Sequence, residues 1–229
     1  TLLGANDPPV FTSEPRPGIV ENDTSDATTD TQLSGMLTAS DPDSSAKWVF
    51  GLEGQRPVNN LVKQDGTYGT LTLNTSTGAY SIEKVPAAIE ALSAGEKVTD
   101  TSAVTLSDGI APLVKYSLVL SVTGANDVPK PQASTVEVTE DGNQYQGKLI
   151  SSDVDVQGTT ATFSFDQAVA GLRLNSDGAY SFDPADVSYQ PLAQGYVQEI
   201  SVPYSVTDDQ GASSRSTLIL RITGVNDVP

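Results

Sequence analysis

Three near-copies of one hexapeptide divide the chain: GANDPP at 4–9, GANDVP at 124–129 and GVNDVP at 224–229. Each of the later two closes a run of alternating apolar residues. The copies begin at Gly4, Gly124 and Gly224, so they lie 120 and then 100 residues apart. Such periods are too long for one solenoid repeat and suit a whole small domain. The reading is a linker from a preceding repeat over 1–9, one repeat over 10–125 and a second over 126–229 that ends in the next linker.

The pattern between the hexapeptides is that of short strands. Leu71-Thr72-Leu73 and Tyr80-Ser81-Ile82 alternate around the turn at Asn74–Gly78, which is a hairpin on period two. Val98 to Leu106 and Tyr116 to Val122 read as closing strands, with Tyr116, Leu118, Leu120 and Val122 on one face. Gly18 to Asn22 reads as an edge strand, 23–32 as a polar loop, and Leu33 to Leu37 as a strand entering the acidic turn Asp41-Pro42-Asp43. Trp48-Val49-Phe50 reads as a buried strand anchored by Trp48, the one tryptophan. Pro86 to Leu92 alone suits a turn or two of helix. The second copy repeats the outline: Phe163 and Phe165 fall where Trp48 and Phe50 fell, Leu174–Ser181 mirrors Leu73–Ser81, and Leu218, Leu220 and Ile222 mirror Leu118, Leu120 and Val122. The first copy is the longer, mainly between Asp43 and Leu71, which marks 51–69 as an insertion with a hairpin signal at Asp65-Gly66. About seven short strands per copy give an all-β chain of two tandem immunoglobulin-like β-sandwiches.

Charge narrows the function. The 229 residues carry 12 basic and 29 acidic side chains, net −17, and the excess is shared: 7 basic and 15 acidic in 1–126, 5 and 14 in 127–229. Such a field repels nucleic acid and anionic membranes and attracts cations. With neither Cys nor His there is no disulfide framework, no thiolate or imidazole metal site and no histidine base. No apolar run approaches the roughly 20 residues of a membrane span. The sequence has no Gly-x-Ser-x-Gly elbow, no phosphate loop and no marked carboxylate pair, so an enzyme is not expected.

Cations of the calcium type take six to eight oxygen ligands, and an Asp-x-Asp turn sets two carboxylates side by side. Taken singly, Asp-Pro-Asp and Asn-Asp-x-Pro are ordinary turn formers. They recur together in both copies, and that joint recurrence favours calcium. Neither an EF-hand loop nor a calcium-binding nonapeptide repeat is present.

Two family resemblances are carried by these residues. The run DGAYSF…LAQG…YSVTDDQGASSRSTLILRITGVNDVP resembles the bacterial VCBS repeat of large RTX-type adhesins, and TGAYSI…LSAG…VTLSDG…LVLSVTGANDVP shows the same landmarks in the first copy. More broadly the chain is similar to cadherin-like domains, through Pro9-Val10-Phe11, Glu21-Asn22, Asp41-Pro42-Asp43, Asp108 and Asn126-Asp127, and again through Glu140, Asp153-Val154-Asp155, Asp208-Asp209 and Asn226-Asp227. The cadherin resemblance implies calcium held where repeats join. One set would be Glu21, Asn126, Asp127, Asp153, Asp155 and Asp208. Asn6, Asp7, Asp41, Asp43 and Asp108 would serve a preceding repeat, and Glu140, Asn226 and Asp227 a following one. Gly124 stands where the cadherin linker begins with Asp, and no Asp-Arg-Glu motif is found in mid-domain, which implies fewer ions or weaker binding.

The expectation is a pair of calcium-stiffened extender modules from a large secreted or surface adhesin of a Gram-negative bacterium, supporting adhesion or biofilm formation. Its partners would be the neighbouring repeats and a surface glycan or protein, with no nucleic acid and no membrane insertion. The alternative is a recognition module for a glycan, peptide or host protein. It would use loops of the first repeat. Separately, Tyr68 in the first copy and Tyr145, Tyr189 and Tyr196 in the second lie in or near loops and are candidates for stacking on a sugar.

Overall fold

The structure is a computed structural model and describes residues 4–22, 28–43, 47–155 and 161–227. The chain divides into two compact units, Thr1–Ala125 and Asn126–Pro229. Both are built almost wholly from strands, as the Thr, Val and Ser content and the period-two patterning dictate.

The first unit contains β1 (Val10–Phe11), β2 (Gly18–Glu21), β3 (Thr28–Thr31), β4 (Ser34–Met36), β5 (Ala39–Ser40), β6 (Val49–Leu52), β7 (Leu61–Asp65), β8 (Gly69–Asn74), β9 (Ala79–Lys84), the single turn of helix α1 (Pro86–Ile89), β10 (Lys97–Ser107) and β11 (Val114–Thr123). One sheet runs β3-β2-β11-β10-β6 and another β4-β9-β8-β7, with β1 and β5 as a separate pair. Pairing is antiparallel except for β2 on β11, which is parallel with Ile19 opposite Val122. The core fills from both larger sheets: Leu118, Leu120, Val122, Val104 and Leu106 from one, Leu71, Leu73 and Ile82 from the other. Burial of such alternate residues, at roughly 1.5–3 kcal/mol per large aliphatic side chain, is what holds a sandwich together.

The second unit contains β12 (Lys130–Pro131), β13 (Ser134–Thr139), β14 (Tyr145–Lys148), β15 (Ser151–Ser152), β16 (Thr162–Phe165), β17 (Leu172–Leu174), β18 (Ala179–Phe182), β19 (Val197–Thr207) and β20 (Ser213–Thr223). Its sheets are β13-β20-β19-β16 and β14-β18-β17, with the pair β12-β15. Here too one pairing is parallel, β13 on β20, with Val138 opposite Ile222. Three positions that are aliphatic in the first unit, Ile82, Ile89 and Val104, are Phe182, Tyr189 and Tyr204 in the second, all buried.

Local readings differ from the sequence expectation in four places. Gly18–Glu21 is not an edge: β3 covers it, with Gly18 opposite Thr31 and Glu21 opposite Thr28. The expected loop at 23–32 therefore holds a strand at 28–31, while 23–27 lie outside the described residues. A polar four-residue strand, Thr-Thr-Asp-Thr, shows no apolar alternation to reveal it; its partners are backbone groups and Lys84, whose Nζ sits 2.9 Å from Asp30. The longer first copy takes its extra length here as well as between Asp43 and Leu71, since Glu21 to Gly35 spans twice the distance of Glu140 to Gly147.

Trp48 precedes its strand and is only partly buried against the core, whereas Phe50 is buried and Val49 is 56% exposed. Finally, Phe163 is the counterpart of Phe50, not of Trp48. Phe50 donates its N–H to Thr75 O and faces Leu106; Phe163 donates to Ser176 O and faces Val206. A slip of two residues keeps every side chain on its face, so period-two patterning alone does not detect it.

Candidate functional site

Each unit gathers acidic residues at both of its ends. The leading end is where the hexapeptide enters, beside the loop that joins the last two strands; the trailing end is where the last strand runs out into the next hexapeptide.

At the leading end of the second unit, three separate stretches converge. The Asn126 side-chain Nδ2 donates to Asp208 Oδ2 at 2.9 Å and to the Asp127 carbonyl at 2.9 Å. The Asp127 N–H donates to Asp155 Oδ2 at 3.0 Å, and the Asp155 N–H to Asp153 Oδ1 at 3.2 Å. Asp208 Oδ1 is fixed by the N–H groups of Gln210 and Ala212, at 2.9 and 2.8 Å. Asp127, Asp155 and Asp208 are buried, 7%, 4% and 6% exposed. Asp155 Oδ1 is buried with no hydrogen-bond partner. Burial pushes the Asp155 carboxyl above its usual range; the Asp127 N–H opposes this, and the charges of Asp153, Asp127 and Asp208 add to the rise.

The leading end of the first unit is built the same way. Asn6 Nδ2 donates to Asp108 Oδ2 at 2.9 Å and to the Asp7 carbonyl at 3.1 Å; the Asp7 N–H donates to Asp43 Oδ2 at 3.0 Å, and the Asp43 N–H to Asp41 Oδ1 at 2.8 Å. Asp108 Oδ1 accepts from Ile110 and Ala111, each at 2.9 Å. The Asn6 hydrogen bond, followed by these backbone donors, holds the Asp108 carboxyl below its usual range. Asp41 Oδ2 is again buried without a partner.

At the trailing ends a glutamate at the end of the strand parallel to the last one, or just past it, captures the outgoing backbone. Glu21, 4% exposed, accepts the Ala125 N–H on Oε2 at 2.9 Å. Glu140, 1% exposed, accepts the Val225 N–H on Oε1 at 2.7 Å, and its Oε2 has no hydrogen-bond partner. Asn226 Nδ2 donates to the Asp227 carbonyl at 3.2 Å, as Asn6 and Asn126 do to theirs. The glycine that replaces the cadherin linker aspartate has a steric reason. A Cβ on Gly124 would stand 2.5 Å from Leu92 Cβ and 2.7 Å from Ser93 O, and one on Gly224 would stand 2.3 Å from Ala193 O.

Sequence reasoning missed one residue of this kind. A carboxylate oxygen of Glu90, the residue that caps α1, lies within 4.8 Å of one from Glu21. Its counterpart in the second copy is Gln190, so a search for repeated acidic positions passes over it. Among the candidate aromatic residues, Tyr189 is a correction: it is 3% exposed, its ring packs on Phe182 and its hydroxyl donates to Ala170 O. Tyr68 is partly buried against the core, while Tyr145 and Tyr196 are exposed. Within 51–69, β7 pairs with β8 as a hairpin and buries Val62, while the residues between β6 and β7 form no strand.

These sets fit a hard cation. Every donor is oxygen, the chain has no Cys or His, and buried carboxylate oxygens stand without hydrogen-bond donors. Among the described residues no helix is long and apolar enough to cross a membrane.

Residues 126–224 match the family described as the bacterial cadherin-like domain. No curated protein matches the sequence. Among solved structures, the chain is similar to a protocadherin fragment, PcdhgB3 EC1-4, at 17% identity and a TM-score of 0.54, covering 97% of this chain and 51% of that one. Mouse cadherin-23 EC22-24 is similar at 15% identity and a TM-score of 0.46, over 96% and 65% of the two chains. Human protocadherin-24 EC1-2 is similar at 13% and 0.46, over 98% and 100%. The chain thus spans about half the length of the PcdhgB3 fragment. The fold is the cadherin-like immunoglobulin type in two tandem units, and residues 126–224 of the second unit match the bacterial cadherin-like domain.

Proposed function

We propose that this chain is a pair of extender modules from a large secreted or cell-surface bacterial adhesin, of the VCBS-bearing kind, in which calcium orders one repeat against the next. The observation that carries the reading is Asp155: a carboxylate 4% exposed, with one oxygen unpartnered and Asp127, Asp153 and Asp208 raising its pKa further. No cationic side chain forms an ion pair with it among the described residues, and burying such a group unpaired is costly.

Asp153, Asp155, Asp127 and Asp208 would supply carboxylate oxygens, and Asn126, whose amide nitrogen is spent on Asp208 and Asp127, would offer Oδ1. Calcium supplies the positive charge that cancels their repulsion. Glu21 belongs to the reading through chain connectivity: it holds Ala125, the residue directly before Asn126. Asp41, Asp43, Asp108, Asn6 and Asp7 would do the same for a preceding repeat, and Glu140, Asn226 and Asp227 for a following one. The stiffened array would support adhesion or biofilm formation by a Gram-negative cell.

Calorimetric titration of the chelator-treated chain with calcium tests this. Binding in the range of extracellular modules, Kd about 10⁻⁴–10⁻³ M, is expected, with loss of one class of site in Asp153→Asn/Asp155→Asn. No calcium heat above the magnesium control would sink the reading.

A further inference from the structure

The two trailing ends are the same frame with one different residue. Leu92 and Leu192 donate to the carbonyls of Ile89 and Tyr189, and Gly95 and Gly195 donate at 2.9 Å to those of Gly124 and Gly224. This register sets Glu90 and Gln190 at one structural position. In the first unit two carboxylates meet there, with oxygens of Glu21 and Glu90 within 4.8 Å. In the second, Gln190 turns its amide to Asp141, Nε2 to Oδ1 2.9 Å, and Glu140 remains as the one deeply buried carboxylate. Glu140 itself supplies the independent sign of a missing ligand: it is 1% exposed and its Oε2 has no hydrogen-bond donor.

We propose that position 90/190 grades the calcium affinity of the trailing ends. Glu90 makes the end of the first unit a two-carboxylate, tighter site, and Gln190 leaves the end of the second a one-carboxylate, weaker site. This rests on the calcium reading above. Its physical basis is that calcium affinity follows the number of charged ligands and the rigidity of their frame. Here the frame is common to both ends and the charge differs. As calcium rises, the two ends load at different concentrations, so successive joints of an array built from such repeats stiffen in order and not together.

The test uses the full chain, chelator-treated and titrated with calcium, with Glu90→Gln and Gln190→Glu as variants and melting recorded with and without the ion. Glu90→Gln is expected to weaken one class of site on the order of tenfold. Gln190→Glu is expected to melt lower than the parent in chelator, because the introduced carboxylate then repels Glu140 and Asp141, and to gain more from calcium than the parent does. A substitution acting on packing alone would move both melts in the same direction. If the parent binds calcium and both variants titrate as it does, the grading is overturned and the calcium reading stands. If the parent itself shows no calcium response, the calcium reading fails and the grading with it.

Discussion

Asp155 shows at the scale of one residue how an acidic turn differs from a cation ligand. A turn former needs its carboxylate only to accept local N–H groups, as Asp186 does from Ser188 at 3.0 Å. Asp155 accepts one N–H on Oδ2, and its Oδ1 is buried without a donor. The expected consequence is a change of sign. In chelator, Asp155→Asn is as stable as the parent or more stable, since a buried charge is removed; in calcium it is less stable, since a ligand is lost. Melting both proteins in both buffers checks this, and destabilisation of equal size in both buffers would contradict it.

A second residue-scale test is alkaline. Burial, then the neighbouring Tyr145, raises the Tyr180 phenol from 10.0 to about 12. Between those values the unfolded chain loses this proton first, so stability is present below pH 10 and falls as pH rises through about 12. Urea midpoints for Tyr180→Phe should fall less steeply over that window than those of the parent; parallel slopes would refute it.

At the scale of elements, the long strands were legible and the devices that lock them were not. β10, β11, β19 and β20 alternate more and less buried residues along most of their length, the pattern that the sequence displays. β3 was hidden because its residues are polar, and the Phe163 register because a two-residue slip leaves no trace in the pattern. Asp100 was hidden for another reason. It stands on β10, and its carboxylate accepts the N–H groups of Thr67, Tyr68 and Gly69 at 3.1, 2.7 and 3.0 Å, pinning the β7–β8 turn from 31 to 33 residues away in sequence. Its counterpart is Ile200, and no local motif announces such a contact. Asp100→Ala is expected to cost about 2 kcal/mol, the scale of hydrogen bonds to a charged group, read from urea unfolding. A loss under about 0.5 kcal/mol would show the pin to be idle.

Gly78 makes the hairpin at the other end of β8 equally strict. It lies at φ +78°, and a Cβ would stand 2.3 Å from Leu37 O, so Gly78→Ala should destabilise the first unit by more than the roughly 1 kcal/mol of a relaxed glycine site. The acidic ends were legible to the extent that they repeat. Asn-Asp-x-Pro, Asp-x-Asp and the late Asp recur, and the structure brings them together within each unit. Glu90 does not recur and was lost.

For the whole molecule, the proposed function has the net charge of −17 arranged around calcium and not merely tolerated. A ligand that binds only the folded state stabilises it by about 2.7 kcal/mol per site at 100 times its Kd. For units of about 100 residues that is a rise on the order of 10 °C in Tm. The direct measurement is therefore a thermal melt of the chelator-treated chain across a calcium series, against magnesium at matched ionic strength. The expected Tm climbs by that order with calcium and not with magnesium. A Tm that is unchanged, or that rises equally with either ion, would contradict it and leave the acidic ends as ordinary turns.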